Sequence, residues 1–335
     1  MKNTNDPYKE SVSWVYGLQK YGIKFGLSKT TNLLQAFANP HHSQHYIHIA
    51  GTNGKGSVGA MLEAILLKAG RKVAFYTSPH LVSFTERFRI NREPIPRDTA
   101  ASLIRELQAV INPKEPPTFF EFTTAMTLLY FSREAVDISI IEAGMGGRLD
   151  ATNVITPMVS IITTIGVDHQ HFLGDTITAI AHEKGGIIKK GVDLVTAVDQ
   201  PPVISLFKSL CTQNSAPFWR VGQHARYRRL PTGRFGYYGI HDRFTNLTLG
   251  LQGRFQYRNA AAALLAVEIL KSNGIDIADE AIQVGLADPL WPGRLEEVSS
   301  HPAIMLDGAH NPSAMRSLAQ AIGNDFRFEN LILVL

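Results

Sequence analysis

Ala50-Gly51-Thr52-Asn53-Gly54-Lys55-Gly56-Ser57 separates a short apolar run, Tyr46–Ala50, from a helical stretch, Ser57–Ala69. Glycines let backbone N–H groups turn inward around phosphate oxygens, and the positive end of the following helix strengthens the field there. Lys55 is placed to neutralise outer phosphates, and the Ser57 hydroxyl to reach a magnesium ion. The spelling departs from the common G-x-x-x-x-G-K-[ST] pattern. Ile49 stands where that pattern has its first glycine, and Gly56 separates the lysine from the serine. A tight turn without a ligand is the plainer reading of such a loop. Strand, loop, lysine, hydroxyl and helix coincide here, and that coincidence favours phosphate binding by Gly51, Thr52, Asn53, Gly54, Lys55, Gly56 and Ser57.

Working outward, β-rich runs recur at Val73–Thr77, Ile138–Ala143 and Val159–Ile165, with helical stretches at Asp98–Val110 and Thr123–Glu134 between them. Alternation of this kind predicts an α/β fold, a parallel sheet with helices on both faces. Further on, Asn259–Gly274 reads as an alanine-rich helix ending at a glycine, and Ile277–Leu286 as another. Asp288–Arg294 holds two prolines and a glycine and reads as a linker. Beyond it, a strand at Ala303–Leu306, a helix at Ser313–Ile322 and a strand at Leu331–Leu335 suggest a fresh βαβ unit opening a second domain.

Two residues stand at strand ends or just beyond them. Glu142 closes the run from Ile138, and His169 follows the run from Val159. In a parallel sheet both fall on the edge that carries the phosphate loop. A carboxylate and an imidazole there suit a divalent ion bridging ATP oxygens. Singly, Glu142 could cap a turn and His169 could be an ordinary loop histidine; His171 competes with it. Lys184, in Glu183-Lys-Gly-Gly-Ile187, taken alone reads as a solvated helix lysine.

The chain has 335 residues, 33 basic and 29 acidic, with 27 Gly, 17 Pro and one Cys. That composition excludes disordered, collagen-like and disulfide-framed classes. No apolar run has the length of a membrane span, and Met1–Ser11 lacks the apolar stretch of a secretory signal. These features predict a soluble, cytoplasmic protein. Charge is uneven: residues 216–258 hold eight arginines and one acid, with nine interleaved aromatics. Single-stranded nucleic acid is one use of such a patch. A small antiparallel ribbon with aromatic cross-strand pairs is the other, and it is preferred because no RNA-module signature accompanies the arginines.

The loop closely resembles that of the folylpolyglutamate synthase/dihydrofolate synthase family, a branch of the Mur ligases. Other stretches resemble the same family: Thr77-Ser-Pro-His-Leu81 with Glu86-Arg-Phe-Arg-Ile-Asn91, Phe119-Phe-Glu-Phe-Thr-Thr124, and Glu142 through Asn153. So do Asp168-His169, Glu183 through Lys189, Trp291-Pro-Gly-Arg-Leu-Glu296 and Leu306-Asp-Gly-Ala-His-Asn-Pro312, all in the family's order. The resemblance implies a parallel-sheet, Mur-ligase-like P-loop ATPase domain over 1–296, with a small β-rich insert near 216–258. It implies the start of a Rossmann-like C-terminal domain over 297–335.

It further implies an ADP-forming ligase that joins L-glutamate to a pteroate or folate carboxylate through an acyl phosphate. Lys55 and its loop would hold the phosphates, and Ser78, Glu142 and His169 would ligate Mg2+. Lys184 matches a lysine that the family carbamylates, so Lys55, His169 and Lys184 become the catalytic candidates. Asn259, Arg294, Asp307 and His310 would meet ATP, and Phe122 and Thr123 the pterin. A monomer that takes neither nucleic acid nor membrane is also implied. One departure is visible: the family usually has His-Gln where this chain reads Phe255-Gln256. An anionic polyglutamate tail is one ligand consistent with Arg226, Arg228 and Arg229.

A Mur-type ligase with another acceptor, a kinase that stops after phosphoryl transfer, and a catalytically silent nucleotide binder stay open on residues alone. No motif separates addition of the first glutamate from addition of later ones. A second domain of this kind normally needs ~100 residues or more. The expectation is therefore a C-terminally shortened ligase that binds ATP weakly and turns over poorly.

Overall fold

The computed structural model describes residues 6–231 and 233–334. Eight strands form the main sheet: β1 (Tyr46–Ala50), β2 (Val73–Tyr76), β3 (Phe88–Ile90), β4 (Glu93–Pro94), β5 (Ile138–Glu142), β6 (Val159–Ile162), β7 (Asp193–Thr196) and β8 (Phe218–Arg220). Their order is β4-β3-β2-β5-β1-β6-β7-β8. Strands β2, β5, β1, β6, β7 and β8 pair in parallel, whereas β3 and β4 add an antiparallel edge. Central β1, β2, β5 and β6 are buried along their whole length, as continuous apolar runs in a two-sided sheet require.

Alternation along β1 divides the core. Ile47 and Ile49 face a cluster formed with helices Lys55–Lys68, Gln256–Ser272 and Asp279–Ala287. Tyr46 and Ala50 face the opposite side, against Phe119–Arg133 and Ile177–Gly185 respectively. Gln256–Ser272 has 14 buried residues of 17, which is why its pattern shows alanine on every side rather than one apolar stripe.

Several boundaries move. The third expected helix starts at Phe119, not Thr123, because Thr118 caps it: its hydroxyl accepts from the Glu121 amide at 3.3 Å while the Glu121 carboxylate accepts from the Thr118 amide at 2.7 Å. The arginine-rich insert is narrower than 216–258. Strand β8 joins the main sheet, and the insert proper is β9 (Arg226–Arg229), β10 (Phe235–Tyr238) and β11 (Arg243–Leu247), an antiparallel ribbon. Tyr237 stands opposite Tyr227 and Phe244 on its two neighbours, so the aromatics serve as cross-strand pairs.

The expected βαβ unit is not what forms. β12 (Glu296–Ser300) and β13 (Ala303–Leu306) make an antiparallel hairpin, followed by the helix Pro312–Asp325. Residues 331–334 carry no strand and are exposed, from 57% at Leu331 to 88% at Val334; Leu335 lies outside the described residues. Among the described residues, no helix is long and apolar enough to cross a membrane.

Candidate active site

Parallel strands bring the carboxyl ends of β1, β5 and β6 to one edge, where the loop after β1 begins the helix Lys55–Lys68. The next two residues after β6 lock that loop. The Thr52 amide donates to the Thr164 carbonyl at 2.7 Å, and the Thr163 and Thr164 hydroxyls both donate to the Asn53 carbonyl, at 2.7 and 3.0 Å. Two glycines allow close approach. Gly54 has φ +87°, and a Cβ there would stand 2.5 Å from Asn259 Oδ1; at Gly56 it would stand 2.0 Å from the Trp291 ring.

Lys55 Nζ donates to the Gly51 carbonyl at 3.2 Å and lies 3.8 Å from Glu142 Oε1. The other oxygen of Glu142 accepts from the Thr77 hydroxyl at 2.6 Å and the Ser78 amide at 3.3 Å. Lys184 is buried, contrary to its bare reading as a solvated lysine, and its Nζ donates to the same Gly51 carbonyl at 3.0 Å. Burial, reinforced by the nearby Lys55 charge, draws the Lys184 pKa down from 10.5 to about 7. A substantial fraction of this amine is therefore neutral near neutral pH.

These groups floor a cleft of about 1220 Å³. The loop, Ser78, Glu142, His169, Lys184, Asn259, Arg294, Asp307 and His310 all line it, so the structure gathers most of the expected residues in one place. Ser57 is buried, with Gln256 Nε2 donating to its hydroxyl at 3.2 Å, and Asn259 Nδ2 donates to Gln256 Oε1 at 2.8 Å. His169, at φ +50°, is half exposed on its loop with Nε2 3.8 Å from Asp168. Asp307 spends its oxygens on the Leu295 and Ala309 amides, at 3.0 and 2.8 Å, which shapes the turn carrying His310.

Phe122 and Thr123 do not reach the cleft. Both are fully buried: Phe122 packs edge-on to Trp14, and the Thr123 hydroxyl bonds that of Tyr76 at 3.0 Å. Because the helix begins four residues earlier than expected, Phe119 and Phe120 line the cleft instead. Phe255, standing where the family usually has histidine, packs against Leu295, Leu318 and Ala321.

Sequence reasoning missed three contributors. Asn311 pairs its amide with that of Asn53, at 3.0 and 3.3 Å, joining the two sides of the cleft. Trp291 stacks on Phe75 at 5.6 Å with its ring over Gly56. Arg87 lines the cleft although only 7% exposed. All three sit in stretches whose residues stood out, but no local spacing shows which side chain turns inward.

Among the described residues, no three His, Cys, Asp or Glu side chains converge as a metal cage. Magnesium does not require one, since it keeps several waters and takes one or two protein oxygens plus phosphate. Glu142, buried beside two hydroxyl-bearing residues at the loop, fits that ligand type.

Residues 49–267 match the family described as Mur ligase middle domain. The chain is 37% identical to the Bacillus subtilis dihydrofolate synthase/folylpolyglutamate synthase, over 98% of this chain and 79% of that one. It superposes on Mycobacterium tuberculosis folylpolyglutamate synthase complexed with ADP and AMPPCP at a TM-score of 0.88, with 32% identity over 96% and 75% of the two chains. It superposes on E. coli FolC in complex with DHPP and ADP at 0.85, with 31% identity over 95% and 75%.

Proposed function

The chain belongs to the folylpolyglutamate synthase/dihydrofolate synthase family of the Mur ligases, and on that premise we propose that its cleft joins L-glutamate to the carboxylate of dihydropteroate, tetrahydrofolate or both, at the expense of ATP. The observation that carries this reading is that Lys55 and Lys184 share the Gly51 carbonyl, with Glu142 3.8 Å from Lys55, in a cleft that continues to Phe119 and Phe120. One end offers donors and a cation for phosphates, the other aromatic faces for a flat acceptor.

In this mechanism an acceptor carboxylate oxygen attacks the γ-phosphorus of ATP. The new O–P bond forms as the bond to ADP breaks. The neutral amino group of glutamate then attacks the acyl carbon, the C–O bond to phosphate breaks, and the nitrogen gives up a proton that leaves with the phosphate, giving an amide. Loop amides and Lys55 offset the negative charge that develops on the transferring phosphoryl group. Glu142, with Ser78 and His169, would hold Mg2+, which would supply neutralisation of the phosphate charge. Lys184, neutral enough to take up CO2, would become a carbamate and add a carboxylate to that set. Asn259, Arg294, Asp307 and His310 would enclose the nucleotide.

We read 1–296 as the ATP-binding body and 297–335 as the segment that supplies the facing wall. The same reading has the protein working as a cytoplasmic monomer without nucleic acid. Phosphate release with dihydropteroate or tetrahydrofolate as acceptor, each with and without glutamate, tests it. Release that needs acceptor and glutamate together is expected; release indifferent to glutamate would point to a kinase.

A further inference from the structure

Two arginines near the antiparallel edge of the main sheet are buried, and they differ in one respect. Arg89, in β3, donates to Glu63 through Nε and Nη2 at 3.2 and 2.5 Å, so its charge is met inside the protein. Arg87, 7% exposed, has no carboxylate partner among the described residues. Its Nε donates to His80 Nδ1 at 2.8 Å, and its guanidinium lies over the Phe119 ring at 5.2 Å from the centroid. Since Nδ1 of His80 accepts, Nε2 carries the proton and donates to the Tyr16 hydroxyl at 3.1 Å. Every partner of the Arg87 side chain is therefore neutral, its remaining N–H groups have no hydrogen-bond partner among the described residues, and the residue lines the cleft.

Burying a cation without a counter-charge costs several kcal/mol. A guanidinium held by a fixed neighbour, stacked on an aromatic ring and open on one side is a ready fork for a carboxylate. Its place narrows the ligand. Phe119, beneath it, belongs to the aromatic wall. On the other side, the Arg87 carbonyl accepts from the Thr77 amide at 3.1 Å, and Thr77 in turn holds Glu142. Arg87 thus stands between the aromatic wall and the Lys55–Glu142 centre, where a carboxylate attached to an aromatic acceptor would arrive.

We propose that Arg87 is the anion-binding residue of the acceptor subsite, gripping the acceptor's reactive carboxylate and orienting it toward the phosphate loop. This rests on the ligase reading above. The incoming glutamate is a second source of carboxylates, and the test separates the two.

The test is titration calorimetry of dihydropteroate and of its neutral carboxamide, without glutamate, on protein loaded with Mg2+ and a non-hydrolysable ATP analogue. The native protein should favour the carboxylate by ~10- to 100-fold, as expected for a charge-assisted pair of hydrogen bonds. Arg87→Gln should erase that preference while leaving carboxamide affinity unchanged. Arg87→Lys, which keeps the charge and loses the fork, should retain part of it and covers the case in which Arg87→Gln does not fold. Equal weakening of both ligands by either variant would overturn the proposal in favour of a purely structural arginine. So would a KM increase confined to glutamate. Native protein that binds the ATP analogue but neither pterin would overturn the ligase reading itself.

Discussion

The two walls of the cleft are built on different terms. The wall carrying the phosphate loop grows from the ends of fully buried strands, and its loop is fastened by hydrogen bonds of 2.7–3.0 Å from Thr52, Thr163 and Thr164. The facing wall is a two-stranded hairpin and one helix whose own apolar cluster centres on Leu295, Leu318 and Ala321, with Val298, Ile304 and Leu306 about half exposed. It is held against the body by the Asn53–Asn311 amide pair and by Asp325, which meets Arg229 at 3.1 Å and Arg254 at 2.8 Å. Chemistry that tolerates no misplacement stands on the first wall. The second rests on fewer ties, namely the Asn53–Asn311 pair, the two ion pairs of Asp325 and the packing of Phe255 against its apolar cluster, and partly exposed ion pairs contribute only about 0–1 kcal/mol each.

The sharpest way to break this contrast is Lys55→Ala. Removing the cation from the rigid wall should lower the rate of acceptor- and glutamate-dependent phosphate release by ~100- to 1000-fold, the range for loss of one preorganised charge donor. A melting temperature close to that of the native protein would confirm that only the chemistry was removed.

Next in size is the dependence on Lys184. Its folded pKa, about 7, lies below the 10.5 of the free side chain, so across that interval the unfolded chain binds more protons than the native one. The contribution of this residue to stability therefore rises with pH from about 7 to 10.5 and is least favourable below 7. The carbamylation proposed for Lys184 needs the neutral amine, so on that proposal activity should fall as pH drops from 8 to 6 and should respond to added bicarbonate. Lys184→Gln should abolish the bicarbonate response, as steady-state assays at fixed pH with and without added bicarbonate would show.

Gly56→Ala tests the contact between loop and linker. The added Cβ would stand 2.0 Å from the Trp291 ring, so the ring must move, at about 1–3 kcal/mol by analogy with overpacked cores. Denaturant titration should register that loss together with weaker ATP binding.

The smallest effect is expected at the hairpin-and-helix side of the comparison. Asp325→Asn should cost at most about 1 kcal/mol in stability. It should raise the KM for ATP a few-fold and make it less sensitive to salt. A loss as large as that of Lys55→Ala would mean that the two walls are equally rigid.

Much of the rigid wall was legible in the chain. The phosphate loop, Glu142 at the end of β5 and the order of strands and helices are local facts, written in short periodicities and in the residue types beside them. Lys184 was misread by those same rules, because a lone lysine in a helix carries no mark of the loop that covers it. The facing wall was read less well. Ala303–Leu306 was expected to open a parallel unit with Leu331–Leu335, whereas its partner is Glu296–Ser300, a stretch not read as a strand, since a strand's sequence does not name its partner.

What the sequence determined by itself is the chemistry available: a glycine-rich phosphate loop, a strand-end carboxylate, and motifs in an order that places the chain in its family. What only the tertiary structure decided is which side chains face the cleft. Thr118 caps its helix and thereby turns Phe119 and Phe120 outward while Phe122 and Thr123 enter the core. Two lysines 129 positions apart share the Gly51 carbonyl, and Arg87 is left without the carboxylate that Arg89 has. Residues near each other in sequence share a helix turn or a strand, so their pattern is visible. Charges that meet across a fold have no such periodicity, and only packing brings them together or keeps them apart.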